Sequence, residues 1–491
     1  MGIIGRQAIK STIYIYVGVI IGFLVRAHLF PRYLSEAEIG VIALLVSYGS
    51  IFAQVAILGF NHAAIRYFPY FRNGARGHGG FLPLYILVIT LGFLIFLVVY
   101  GITGQFLIED GQTGLFAQYY YLCIPLTAGL LLFMVMDNYN TVLYNASTGV
   151  LLREFGLRFL MLLALIPLVY GVINFEQFAR LYAGSFILIA ILMILFVIWR
   201  GECHLNFRFR TIERNMMKAM AGISVFGFIT GLTNVAILQV NNILISEFYN
   251  ESQTGIYVTN FFFATLVLLP SRGLNKIAPT MISDAFKNED IDLIGRIHNK
   301  STINQQLIGM LIFIGLYINL PNIYQILPES FAAGSWVIVL TGLAYVIQMT
   351  GGVGSAIIGF SELYRINTYL SILQLGLLVT LNILLLPGFG ITGAAWATLI
   401  AIMVLNILKF VVIKKKFRIQ PYNSKHLVAL GVALFCLVIE TLIPALDQFI
   451  LDILVRSSLI TIIFVGINYM LKTSEQLNDN INKTVRLLRI P

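Results

Sequence analysis

A small set of side chains combines a residue type and a position that could do chemistry. Arg26 stands inside an apolar run, "IIGFLVRAHLFPRYL" from Ile20 to Leu34. His62 and Arg66 lie four residues apart in "GFNHAAIRYFP" (Gly59 to Pro69), and Arg272 and Lys276 repeat that spacing in "LPSRGLNKIAPTM" (Leu269 to Met281). Residues so spaced share one face of a helix. An arginine stays ionised and presents a fork that matches phosphate oxygens in pairs, so the chemistry these cations suit is capture of an anionic group. Asp137, in "FMVMDNYNTVLYN", could neutralise such a cation or carry H⁺ or Na⁺. Asn241 and Asn242 could line a polar cavity or hydrogen-bond one helix to another.

Each cation also has a plainer reading. Arg26 could snorkel to the membrane surface or pair with Glu36 or Glu38, and His62 with Arg66 could be an interfacial anchor. Arg153 and Arg158 read as ordinary cytoplasmic-side charges, and His28 as a packing residue. Glu440 has no evident partner in the sequence. A guanidinium at mid-bilayer costs about 3 kcal/mol on insertion scales, so retaining Arg26 there calls for a compensating use.

The elements that must position these groups follow from composition. The 491 residues are 58% hydrophobic and 11% charged, with mean hydropathy +0.87, which excludes a soluble domain. Apolar runs of helical length predict an all-α integral membrane protein with about 14 spans. Six lie between Ser11 and Trp199, six between Ala219 and Ile413, and two between Leu427 and Leu471. Span one (Ser11 to Phe30) then holds Arg26, span two (Glu38 to Phe60) ends just before His62, and spans seven and eight (Ala219 to Ile245, Gly255 to Ile277) hold the asparagines and the second cation pair.

With the N-terminus inside, all of the 32 Lys and Arg fall in cytoplasmic segments except Arg26, Arg32, Arg180 and Arg456. Arg32 and Arg456 fall in or beside outer loops, and both termini are assigned to the cytoplasm. The net charge of +10 is thus a topology signal and calls for no nucleic acid partner. Cys123, Cys203 and Cys436 show no metal or redox spacing. No phosphate-binding glycine loop is present, so no nucleotide cofactor is expected and energy would come from an H⁺ or Na⁺ gradient or from substrate consumption.

The chain also repeats itself. "VRAHLFPRYLSEAEIGV" (Val25 to Val41) lies without gaps on "VNNILISEFYNESQTGI" (Val240 to Ile256), matching Glu36 with Glu251 and Gly40 with Gly255. Six spans per unit give two lobes of the same orientation, a parallel repeat. The organisation predicted is a first lobe over residues 1–205, a second over 206–415, and spans thirteen and fourteen with a cytoplasmic tail over 416–491. Ser283 to Lys300 and Thr473 to Pro491 read as amphipathic helices on the membrane surface.

Together, the Glu-x-x-x-Gly turns after spans one and seven, "GFNHAAIRYFP", "LPSRGLNKIAPTM" and "GITGAAWAT" (Gly390 to Thr398) resemble polysaccharide flippases. These belong to the multidrug/oligosaccharidyl-lipid/polysaccharide exporter superfamily, and the resemblance covers about residues 1 to 470. It implies a MATE-like fold and a flippase, not an enzyme. The implied substrate is an undecaprenyl-diphosphate-linked oligosaccharide, such as an O-antigen, capsule or exopolysaccharide repeat unit. The implied place is the bacterial inner membrane, with membrane lipids and a polysaccharide polymerase or other export machinery as partners. Similar flippases use cations in spans one, two and eight, which points to Arg26, His62, Arg66, Arg272 and Lys276. A drug or cation antiporter of the same superfamily is the first alternative, but it would be expected to place a carboxylate in span one, and none lies between Ser11 and Phe30. A membrane polymerase or glycosyltransferase is the second; Glu109, Asp110 and Asp447 are the acids it would have to use, in short loops.

Overall fold

The computed structural model describes residues 3–73, 78–109, 114–205, 214–444 and 446–487. The residue at position 206, where the second lobe was set to begin, lies outside these, as do Asp110 and Leu488. The described residues are helical, without strands, and eleven of their helices are long and apolar enough to cross a membrane. A twelfth crossing forms if Glu251–Leu268 and Ser271–Lys287 count as one span, bent by 50°. Pro270 stands at that bend and Pro279 lies in its second arm, each without an N–H for the helical ladder.

The two remaining expected spans are present but fall short of that length. Span five is divided into Ser147–Val150, a π-helical Leu151–Gly156, and Leu157–Val169. Span thirteen is Ser424–Glu440, 17 residues. The helix starts carry the expected chemistry: Ser35 and Glu38 form a reciprocal cap, as do Asn174 with Gln177 and Asn423 with His426.

One expectation is corrected. Ser283 to Lys300 is not one surface helix. The chain turns at Asn288–Glu289, and Asp290 caps a new helix, Ile291–Ile318, by accepting the Leu293 N–H at 2.8 Å. Its polar first half belongs to the end of span eight and its second half to the start of span nine. Arg456, expected in or beside an outer loop, is 8% exposed inside Phe449–Met470.

Contacts divide the chain into two compact units, Met1–Val258 and Thr259–Pro491. This division falls later than the 205/206 lobe boundary because span seven, Arg214–Phe248, packs along Glu36–Ala56 and Phe60–Phe71. The first unit is built on an aromatic core in which Phe68, Phe81, Tyr85 and Tyr139 are fully buried. The second has an aliphatic one around Ile282, Ile357, Ile358 and Ile413. The tail helix Glu475–Leu487 is tied to span nine by Ser474, whose hydroxyl donates to Asn304 at 2.6 Å.

Inside the first unit the two sequence repeats meet. A Cβ on Gly40 would collide with the carbonyl of Glu251, and a Cβ on Gly255 would collide with the carbonyl of Glu36. The reciprocal pattern explains why both copies end in glycine: each start of a helix admits the backbone of the other. The Glu251 carboxylate then accepts the Phe116 N–H at 2.8 Å, fixing the start of span four beside this crossing.

Candidate functional site

Span one does not run as a uniform α-helix. Leu24–Leu29 forms a π-helical turn and Phe30–Tyr33 resumes with Pro31 in its first turn. Proline offers no N–H to the carbonyl four residues back, here Ala27, and its ring crowds that carbonyl, so widening of the turn before it has a local cause. Arg26 sits in the widened turn. It is exposed, and its guanidinium lies beside the hydroxyl of Tyr182, a fully buried residue of Phe175–Trp199. Glu38 is occupied with its helix cap, accepting the Ser35 N–H at 2.8 Å. Among the described residues Arg26 makes no ion pair.

Further along the same helix, Gly18 and Gly22 open a groove that Arg158 fills, paired with Glu154 at 2.9 Å. Arg158 is therefore a partly buried member of an ion pair against span one. Asp137 lies against Gly149, where a Cβ would meet its carboxylate, and Arg153 is the cation acting on it. The acid thus faces the broken span five.

The second cationic group is separate. His62 packs against Gly227 of Arg214–Phe248, and its ring is 3.0 Å from Asn61 Oδ1. Arg66, one turn on, is exposed and has no ion-pair partner among the described residues. No hydrogen bond or ion pair among the described residues joins Arg26 to His62 or Arg66. Asn241 donates to Tyr257 at 2.7 Å, and Asn242 donates to Ser47 at 3.0 Å, which also bonds Gln239. Both amides therefore tie span seven to its neighbours. In the second unit, Arg272 and Lys276 are exposed on Ser271–Lys287, likewise without an acid partner among the described residues.

Two charged clusters escape the sequence reading. Arg456 is held between Asp452 at 2.8 Å and Glu440 at 2.8 Å, while Asn322 and the Leu446 N–H donate to Asp452 at 2.7 and 2.9 Å. Glu440 thus has its partner. Asp452 and Arg456 share one helix, but Asn322 and Glu440 each come from another, and no local spacing announces those two. His78, Glu202 and His204 form the other cluster, with ligand atoms within 4.8 Å of one another. His78 Nδ1 accepts the Asn73 N–H at 3.2 Å, which leaves the proton on Nε2, 3.0 Å from the Glu202 carboxylate. A protonated Nε2 is a hydrogen-bond donor and not a metal ligand, so the cluster fastens the loop after span six to span three.

No family model matches the sequence, and no curated protein matches it either. Solved structures do. "Lipid II flippase MurJ, inward closed conformation" is similar over 94% of this chain and 99% of its own, with TM-score 0.72 and 16% identity. A MOP superfamily transporter from Pyrococcus furiosus, described as having a binding pocket of reversed polarity, is similar over 84% of this chain and 96% of its own, at TM-score 0.58 and 14% identity. A mutant of the MATE transporter VcmN of Vibrio cholerae is similar over 84% of this chain and 97% of its own, at TM-score 0.56 and 14% identity. The chain is a multi-pass membrane protein with the fold of the multidrug/oligosaccharidyl-lipid/polysaccharide exporter superfamily, the superfamily its motifs resemble.

Proposed function

We propose that the protein is a flippase that carries an anionic lipid-linked oligosaccharide across the bacterial inner membrane by alternating access, coupled to H⁺ or Na⁺. A diphosphate with a sugar head cannot enter hydrocarbon unaided, because its charges and hydroxyls would lose their water without replacement. A protein that moves it must offer cations free of carboxylates. Arg26 is the observation that carries the reading: an exposed guanidinium in a π turn, with no ion-pair partner among the described residues. π turns inside helices recur at functional sites. Arg66, Arg272 and Lys276 have the same character, and the likeness to a lipid II flippase supports a lipid-linked cargo.

His62 stands beside Arg66 as a second donor to the cargo, and Asp137 is the group that would carry the coupling ion. Asn241 and Asn242 could reach the cargo only by giving up the bonds to Tyr257 and Ser47.

The test is flux of undecaprenyl-diphosphate-linked glycan in proteoliposomes. Arg26→Ala is expected to abolish it while the protein still inserts and melts as the wild type does. Arg26→Lys is expected to restore part of it, since the charge returns without the fork. Wild-type flux from Arg26→Ala refutes the assignment. Proton- or sodium-coupled efflux of a cationic drug, with no glycan flux, would instead make the protein an antiporter.

A further inference from the structure

The second unit contains a cavity of about 320 Å³ that the residues discussed so far do not explain. Its walls come from Ser271–Lys287, Ile291–Ile318, the break between Ser335–Thr350 and Gly354–Phe360, and the end of Ile391–Phe417. Lys409 lines it, donating to Ser355 Oγ at 2.9 Å, which leaves two of its three ammonium protons for other acceptors. No carboxylate is among the described lining residues, and Lys409 forms no ion pair among them.

Two further lining side chains are buried with polar atoms unused. His298 is 2% exposed and its Nδ1 has no hydrogen-bond partner; Gln305 is 7% exposed and its Oε1 has none. Most buried polar atoms in folded proteins are satisfied, so two orphans on residues that line one chamber, beside an ammonium with no acid partner among the described residues, form a set prepared for an occupant. Lysine supplies a point charge for an oxyanion, the histidine can donate to a second oxygen, and the glutamine oxygen can accept from a hydroxyl. The volume is at the small end of ligand pockets, which fits a phosphorylated polyol headgroup. Lys414, Lys415 and Lys416 end the same helix as Lys409 and add an attractive field for anions at that end of the unit.

We propose that this cavity binds a hydroxyl-bearing phosphate ester through Lys409, His298 and Gln305. Such a group can arrive as the headgroup of an anionic phospholipid or as a soluble sugar or glycerol phosphate. The proposal goes beyond the transport reading, since it concerns binding within one unit and is measured without flux.

The full-length protein is placed in phosphatidylcholine nanodiscs and titrated with glycerol 3-phosphate, and in parallel placed in nanodiscs containing phosphatidylglycerol. Melting temperature and retained ligand by native mass spectrometry are read in both. A rise with glycerol 3-phosphate supports a soluble ligand; a rise confined to phosphatidylglycerol supports a lipid headgroup. In either case Lys409→Gln is expected to weaken binding at least tenfold, Lys409→Arg to hold it within a few fold, and His298→Gln to weaken it several fold. Should Lys409→Gln fail to fold, the His298→Gln and Lys409→Arg pair carries the same comparison. Binding of neither probe, or equal binding by wild type, Lys409→Gln and His298→Gln, overturns the proposal.

Discussion

Arg26 and Arg456 are both arginines within membrane-spanning helices, and they live under opposite conditions. Arg456 is 8% exposed and locked between Asp452 and Glu440, with a further N–H directed at the Ile443 carbonyl at 3.2 Å. Arg26 is exposed in a widened turn beside Tyr182 and has no acid within ion-pair distance among the described residues. A buried arginine that owns two carboxylates has its charge fully answered by the protein itself. An arginine without them keeps its charge available to something that comes and goes. The same residue type is thus a fastening in one unit and, on the proposed function, a receptor in the other.

The comparison can be broken at several points. The largest effect is expected from Arg456→Ala, which leaves two carboxylates facing each other; removing one partner of a buried pair costs about 3–5 kcal/mol. Thermal melting of the detergent-solubilised protein should show it, and replacing Arg456, Asp452 and Glu440 together by apolar residues should restore most of the loss. Next, Arg26→Ala should abolish glycan flux, a fall of at least about 100-fold, equivalent to about 2.7 kcal/mol or more at 1.36 kcal/mol per decade. Arg26→Leu should match that loss while melting at or above the wild-type temperature, the opposite sign from Arg456→Ala, because an unanswered charge is removed.

Asp137→Asn sharpens the comparison from the acid side. If Asp137 carries the coupling ion, flux should persist at a reduced rate but lose its dependence on the H⁺ or Na⁺ gradient, as read by varying the ion across the vesicle wall. The smallest effect is expected from Ser47→Ala, which removes the bonds to Gln239 and Asn242. Interhelical hydrogen bonds in membranes average about 0.6 kcal/mol, so only a shallow fall in melting temperature should result.

Much of this architecture was legible before any coordinates. Apolar run length located a helix at each of the fourteen expected places, while the breaks beside Pro31 and Pro270 were not read from the sequence. The position of Arg26 inside a span was plain from its neighbours. Its freedom from Glu36 and Glu38 was not, because that depends on Glu38 folding back onto Ser35. The role of Arg456 was hidden for a different reason: its partners are Asp452, one turn away, and Glu440, in the preceding helix, and a window that began span fourteen at Leu454 left the arginine at its edge. Arg158 read as a peripheral charge, yet Gly18 and Gly22, four residues apart on span one, were the signal that a bulky side chain from another helix lies there. Ser283 to Lys300 misled because two helix ends with a turn between them can imitate one amphipathic period.

The mutual seating of Gly40 and Gly255 has a consequence for motion. Carbonyls nested against bare α-carbons contribute through close fit and weak C–H···O attraction, about 0.5–1 kcal/mol apiece. Such a clasp grips firmly only while both halves are in register, and parting it demands little work once they slip. A methyl group on either glycine would wedge it ajar, so a chain with Gly40→Ala should spend less time with this seam shut.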